Sequence, residues 1–277
     1  MYSDCRRTLT FFLSFASLLS FAAAEDQRVL RVAADPNNLP FSNDRLEGFE
    51  NKIAGMIARE LHCKIEYHWR AQRRGFFRET LKSGNVDLVV GVPAHFDMAL
   101  TTAPYYRSSY VFVTRVDRKL HVSAFDDLEL RKLKVGVQLV GNDGVDTPPA
   151  HALAARGIVN NVVGFTLYGD YSQPNPPARI IDAVANGDVD IAVAWGPLAG
   201  YFAKHSKIPL DVTPVTPETD GPLRFAFDVS LGVSKSKREL RDELDAVVTN
   251  HREEINRILD EYNVPRVARE PQLTSAK

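Results

Sequence analysis

The run from Leu30 to Asn43, LRVAADPNNLPFSN, followed by Glu47-Gly-Phe-Glu-Asn51 and a helical pattern, constrains this chain more than any other stretch. It reads as a strand opening onto a loop that grips a small molecule. Pro36 and Pro40 hold the backbone extended, Asn37 and Asn38 offer neutral donors and acceptors, and Phe41 brings a flat apolar face to the mouth of a pocket. Phe49, Ile53, Met56, Ile57 and Leu61 then recur at helical spacing, and 65–69 reads as a second strand. A helix over 75–82 and a buried strand over 86–92 follow. Strand, helix, strand, helix, strand predicts an α/β fold with a mostly parallel sheet and ligands at the carboxyl ends of its strands.

Two long apolar strands, 110–115 and 224–233, flank a second α/β unit. That unit opens with a strand over 133–139, starts a helix at Thr147-Pro148-Pro149 and stops it at Gly157, then runs a helix over 178–186 and a strand over 189–194. Two such crossings make a hinge. The expected organisation is therefore two lobes, 25–115 with 224–277 and 116–223. About 250 residues are more than one ordinary core needs and suit two lobes. A C-terminal helical stripe of Leu240, Leu244, Val247, Val248, Ile255, Ile258, Leu259 and Tyr262 reads as a packing face capped by Ser236, with Glu239 three residues on.

The first residues set the compartment. Arg6 and Arg7 precede an apolar run over 9–23, and Ala22-Ala-Ala24 offers small residues for cleavage, so 1–24 reads as a signal peptide and the mature chain as periplasmic. The run is short for a membrane anchor, so no stable membrane insertion is expected. Cys5 leaves with the leader, and the remaining Cys63 reads as a buried small hydrophobe rather than a reactive thiol. The formal net charge of the whole chain is −1, and loss of Asp4, Arg6 and Arg7 keeps it near neutral. Nucleic acid is not an expected partner.

Catalytic signatures are missing. There is no G-x-S-x-G, H-E-x-x-H or C-x-x-C, and the seven His residues lack metal-ligand spacing. Ser234-Lys-Ser-Lys237 matches S-x-x-K only formally, without companion motifs, at a helix entrance. Neither an enzyme nor a resident cofactor or metal is expected.

The opening strand and loop resemble those of type II periplasmic solute-binding proteins, which carry "D-x-x-x-P-F-S" followed by "G-F-D" into a helix. Amino-acid-binding members place an Arg after the third strand to clamp the ligand carboxylate, and an Asp after a second-lobe strand to hold its ammonium. Here His95 and Trp195 fall at those positions. A buried charge without its counter-charge is costly, so a zwitterionic amino acid is a poor ligand, and the pocket reads as built for something neutral or aromatic. Further runs, Gln72-Arg-Arg-Gly-Phe76, Gly136-Val-Gln-Leu-Val-Gly141, the stretch 168–177 and Ala194-Trp-Gly-Pro-Leu-Ala-Gly200 among them, are similar to one branch of that family. It is the MoxJ and XoxJ group, associated with pyrroloquinoline-quinone (PQQ) alcohol dehydrogenases.

That resemblance implies a two-lobed type II binding-protein fold with two hinge crossings. It also implies an accessory role toward a PQQ-dependent methanol or alcohol dehydrogenase, with the dehydrogenase and its cytochrome c as partners. Two further readings remain open: a transport receptor for a small non-amino-acid solute, and, as the weakest, an enzyme on the same fold that resembles cyclohexadienyl dehydratase. The candidate ligand-binding residues are Asp35, Asn38, Phe41, Arg73, Arg74, His95, Tyr105, Gln138, Asn142, Asp143 and Trp195. Tyr168 and Tyr171, on a long Pro-rich connector, are candidate partner-binding anchors.

Overall fold

The computed structural model describes residues 28–140, 146–166 and 171–268. The expected leader, the loop residues Asn142 and Asp143, and Tyr168 lie outside them. The chain begins with β1 (Val29–Ala34), a small hairpin of β2 (Asn37–Asn38) and β3 (Ser42–Asn43), α1 (Phe49–Glu60), β4 (Lys64–Trp69), the short α2 (Phe76–Glu79), β5 (Leu88–Pro93), β6 (Leu100–Thr101) and the ten-residue β7 (Tyr106–Arg115). A second unit follows: β8 (Val135–Leu139), α3 (Pro148–Ala155), β9 (Val162–Thr166), α4 (Arg179–Asn186), β10 (Ile191–Trp195), α5 (Gly196–His205), β11 (Leu210–Pro214), β12 (Thr219–Asp220) and β13 (Leu223–Arg224). The chain then returns through β14 (Ala226–Val233) and closes with α6 (Arg238–Asn250) and α7 (Arg252–Glu261).

The main strands lie in the order β4-β1-β5-β14-β7-β10-β8-β9. β4, β1 and β5 are parallel, as are β9, β8 and β10, so each unit is a small parallel sheet of the expected kind. Strands β7 and β14 join them. The first part of β7, 106–109, pairs antiparallel with β14, while 110–115 pairs on both sides with β10 and β11. The hydrogen-bonded path is thus continuous through one shared strand, yet the cores are not. Leu30, Phe49, Ile53, Leu231 and Leu259 pack in one lobe, and Phe112, Leu130, Val137, Leu153 and Phe225 in the other. The protein is a two-lobed α/β structure. The partners of β7 change between Ser109 and Tyr110, and beyond that point Tyr110, Val111, Phe112 and Val113, apolar on both faces, are sandwiched in the second lobe.

Local chemistry explains the entrance to α1. The Asn51 carboxamide oxygen accepts the backbone N–H groups of Asn43 and Gly48, so the loop folds back onto the helix start. Only glycine fits at 48, since a Cβ there would stand 2.1 Å from the Phe41 carbonyl oxygen.

Three local expectations differ. The helix expected over 75–82 spans only Phe76–Glu79, because Gly75 enters at φ +92 and the backbone at Thr80 leaves helical geometry. The C-terminal stripe is two helices broken at His251. Its expected cap does not form either: Ser236 meets the Ser234 hydroxyl at 3.2 Å, and Lys237 holds the cap position with its side chain turned to Asp87 rather than to the helix end.

Candidate functional site

A cleft of about 1000 Å³ opens between the lobes. Its walls come from the carboxyl ends of the strands: Asp35 follows β1, Pro93 ends β5, Gln138 lies near the end of β8 and Trp195 ends β10. This is where parallel α/β sheets gather ligands, because there the loops diverge and backbone groups are left to be satisfied from outside the sheet.

Of the residues singled out from the sequence, Asp35, Asn38, Phe41, Arg73, Arg74, Gln138, Tyr171 and Trp195 line this cleft. Asp35 is buried and heavily engaged. Its Oδ1 accepts the Asn37 N–H at 2.9 Å, its Oδ2 accepts the Gln72 N–H at 2.6 Å, and the Tyr171 hydroxyl donates to Oδ2 from the second lobe. Asn38 donates to the Gln72 side-chain oxygen at 3.2 Å, and Asn37 reaches the Gln173 carbonyl oxygen at 2.9 Å. Arg73 lies 4.9 Å above the Tyr171 ring. Phe41 packs toward the cores of both lobes.

Two candidates are not brought in. His95 is exposed, stands at φ +61 and does not line the cleft; its N–H reaches the Thr101 hydroxyl at 3.4 Å. His95, two residues beyond the end of β5, itself takes the left-handed conformation at which the chain leaves the sheet end. Tyr105 is only 2% exposed and packs in the first-lobe core, while its neighbour Tyr106 faces the cleft. Successive residues at the start of a strand point to opposite faces, and the sequence did not say which of the two tyrosines faces in. Tyr171, read as a partner anchor, stands half-buried at the cleft and is tied to Asp35.

Sequence reasoning missed Tyr110, Phe227 and Glu50. Tyr110, Trp195 and Phe227 form an aromatic floor, with centroids 5.4 Å, 5.9 Å and 6.5 Å apart in edge-on contacts. Both hinge strands run beneath the cleft, so their outward residues become its base. Burial pushes the Tyr110 phenol up to about 12. Glu50, second residue of α1, sits deep among protein atoms while keeping one side open to the cleft. Burial first, and then the negative charge of Asp35, push its carboxyl up to about 8. Its place in the entrance motif was visible, but nothing in the spacing said that its side chain turns inward.

At the hinge Arg107 is 19% exposed and bridges Glu218 at 2.5 Å and Asp228 at 3.5 Å, joining the two crossings. Among the described residues there is no cluster of three or more side chains able to hold a metal, and no helix long and apolar enough to cross a membrane. The arrangement can therefore enclose a flat, largely apolar molecule, with polar groups at the mouth and one carboxyl at the base.

Comparison with known proteins agrees with this geometry. Residues 30–265 match the family of bacterial extracellular solute-binding proteins, family 3. The chain is 31% identical over 256 residues to the protein MoxJ of Methylorubrum extorquens, covering 88% of this chain and 83% of that one. It is 30% identical over 271 residues to MoxJ of Paracoccus denitrificans, covering 90% and 93%. The crystal structure of the periplasmic binding protein XoxJ from Methylobacterium extorquens AM1 superposes with a TM-score of 0.71 at 34% identity, over 87% of this chain and 100% of that one. With its two lobes, its cleft at the strand ends and these relatives along nearly its whole length, the chain belongs to the bacterial extracellular solute-binding proteins, family 3, and is a periplasmic binding protein similar to MoxJ and XoxJ.

Proposed function

We propose that this protein is a periplasmic accessory factor for a PQQ-dependent methanol or alcohol dehydrogenase, acting in its maturation or activation, with the dehydrogenase and its cytochrome c as partners. The observation that carries the reading is the extent of the likeness: it runs through both lobes to MoxJ and XoxJ rather than stopping at the fold. Export through a cleaved leader at 1–24 belongs to the same proposal. So do lobe limits near 25–115 with 224–277 and 116–223, and a ligand-binding role for Asp35, Asn38, Phe41, Arg73, Arg74, Gln138 and Trp195.

The cleft itself supports a second reading, a transport receptor for a small non-amino-acid solute, because about 1000 Å³ of aromatic-floored space suits a small molecule. One experiment separates the two. Deleting the gene should lower PQQ-dependent methanol or alcohol oxidation in cells, and the purified protein should form a complex with the dehydrogenase. Undiminished oxidation in the deletion strain, with no complex formed, would replace the first reading by the second.

A further inference from the structure

Glu50 is a carboxyl without a stated job. It stands at the first turn of α1 and leans on Gly91 of β5, where a Cβ would come within 2.2 Å of its Oε1. No donor or cation among the described residues hydrogen-bonds or pairs with it, although its side chain borders the cleft. Asp35, the other carboxyl in the cleft, is already met by three donors from Asn37, Gln72 and Tyr171. Glu50 is thus the acid still open to a ligand, and the aromatic floor of Tyr110, Trp195 and Phe227 shares its cleft.

We propose that Glu50 reads the ligand as a neutral carboxylic acid, donating its hydrogen to an acceptor atom of an uncharged aromatic compound laid against Tyr110, Trp195 and Phe227. The inference rests on the cleft being a ligand site and is independent of the dehydrogenase partnership. An ionised carboxylate beside aromatic rings would instead select an organic cation. The surroundings decide between the two. Among the described residues, Asp35 beyond β1, Tyr67 on β4, Tyr105 just before β7 and Tyr106 at its start are the titratable groups coupled to Glu50, and none of these is cationic. Arg73, Arg74 and Arg78 border the same cleft, but among the described residues none of them pairs with Glu50, and the charge that acts with burial on its carboxyl is that of Asp35, which is negative. Burial and that charge favour the protonated form at neutral pH, with a carboxyl pushed up to about 8.

The test uses three naphthalene probes of one shape: 2-acetylnaphthalene as the uncharged acceptor, 2-naphthylmethylammonium as the cation and 2-naphthoate as the anion. Binding is followed by tryptophan fluorescence and calorimetry from about pH 6 to 9. The uncharged probe should bind best, and its affinity should fall about tenfold between pH 7 and 9 as Glu50 ionises. Glu50→Gln, which keeps a donor without a titration, should bind it with the pH dependence abolished. The infrared carboxylic-acid band at neutral pH should lose a component in the same variant, with no probe present. Preference for the cation, strengthening as pH rises, would overturn the proposal, as would an unchanged pH profile in Glu50→Gln or an unchanged infrared band. If none of the probes binds the wild-type protein, the inference falls together with the ligand-site reading of the cleft, while the dehydrogenase partnership stands or falls on the deletion strain.

Discussion

The Tyr171 hydroxyl donates to the Asp35 carboxylate, joining a connector of the second lobe to the first strand end of the other. Gln173, two residues on, accepts from Asn37 at 2.9 Å, and Arg73 lies over the Tyr171 ring at 4.9 Å. Hydrogen bonds to charged groups are worth about 1.5 to 3 kcal/mol, enough to bias a hinge whose two states differ by a few kcal/mol. Tyr171→Phe keeps the ring under Arg73 and removes only the donor. The lobes should then spend more time apart, seen as a larger radius of gyration in solution scattering. An unchanged scattering profile would show that this contact does not hold the lobes together.

Common amino acids should bind poorly. His95, expected from the resemblance at the position of the receptors' carboxylate clamp, is exposed outside the cleft, and Trp195, expected at the position of the acid for the ammonium, lines it. Calorimetry against a panel of α-amino acids should find none near micromolar affinity, which corresponds to about −8 kcal/mol. A single micromolar binder would show that the aromatic floor does not define the specificity.

How much of this was legible in the sequence follows from what the residues do. Loop residues at strand ends, such as Asp35, Asn38, Phe41 and Trp195, announced themselves, because prolines, amides and aromatics cluster there for few reasons other than turning and binding. The alternation of strands and helices likewise set the fold, since its periodicity is local. Tyr110 and Phe227 were hidden. They sit in strands whose apolar character read as hinge, and only the tertiary crossing turns one face of each strand into a cleft floor. Glu50 was hidden for a related reason: its seat on α1 is made by Gly91, 41 residues away on β5, and a glycine's empty side is invisible in one dimension. His95 stands outside the cleft because matching the spacing of a motif does not ensure the backbone turn that aims it.

Cys63 should behave as a core residue. Its side chain is buried, and burial pushes the thiol up from its ordinary value, which lowers the reactive thiolate fraction. Maleimide labelling should be slow in buffer and fast in denaturant. Rapid labelling of the native protein would place the thiol outside the core.

Gly91→Ala probes the seat of Glu50. The new methyl would fall 2.2 Å from Oε1, a clash with the free end of a side chain rather than with backbone. Glu50 can rotate away, so the cost to stability should stay within about 1 to 2 kcal/mol. The displaced carboxyl should gain water and titrate nearer its ordinary value, followed by infrared or by carbon NMR of labelled glutamate. A loss of stability well beyond that range, or an unshifted titration, would mean that β5 and α1 move instead of the side chain.

Stability should depend on pH through the same residue, with a sign opposite to that of most carboxylates. Glu50 titrates at about 8 in the folded protein, against 4.5 as its ordinary value. Between these values the unfolded chain has released the proton and the native one still holds it, so unfolding releases a proton and stability falls as pH rises. Below about 4.5 both states are protonated, and the protein has the full benefit. Above about 8 both are ionised, and the loss levels off. The carboxyl is partly exposed to the open cleft, so the loss across the window is discounted to on the order of 2 kcal/mol, about half of what the full shift would give. Glu50→Gln should remove this slope and leave the variant more stable than wild type at pH 8 and above, measured by urea denaturation across the window. Parallel curves for the two proteins would mean that Glu50 is ionised in the native state throughout, and that the cleft is wetter than its lining implies.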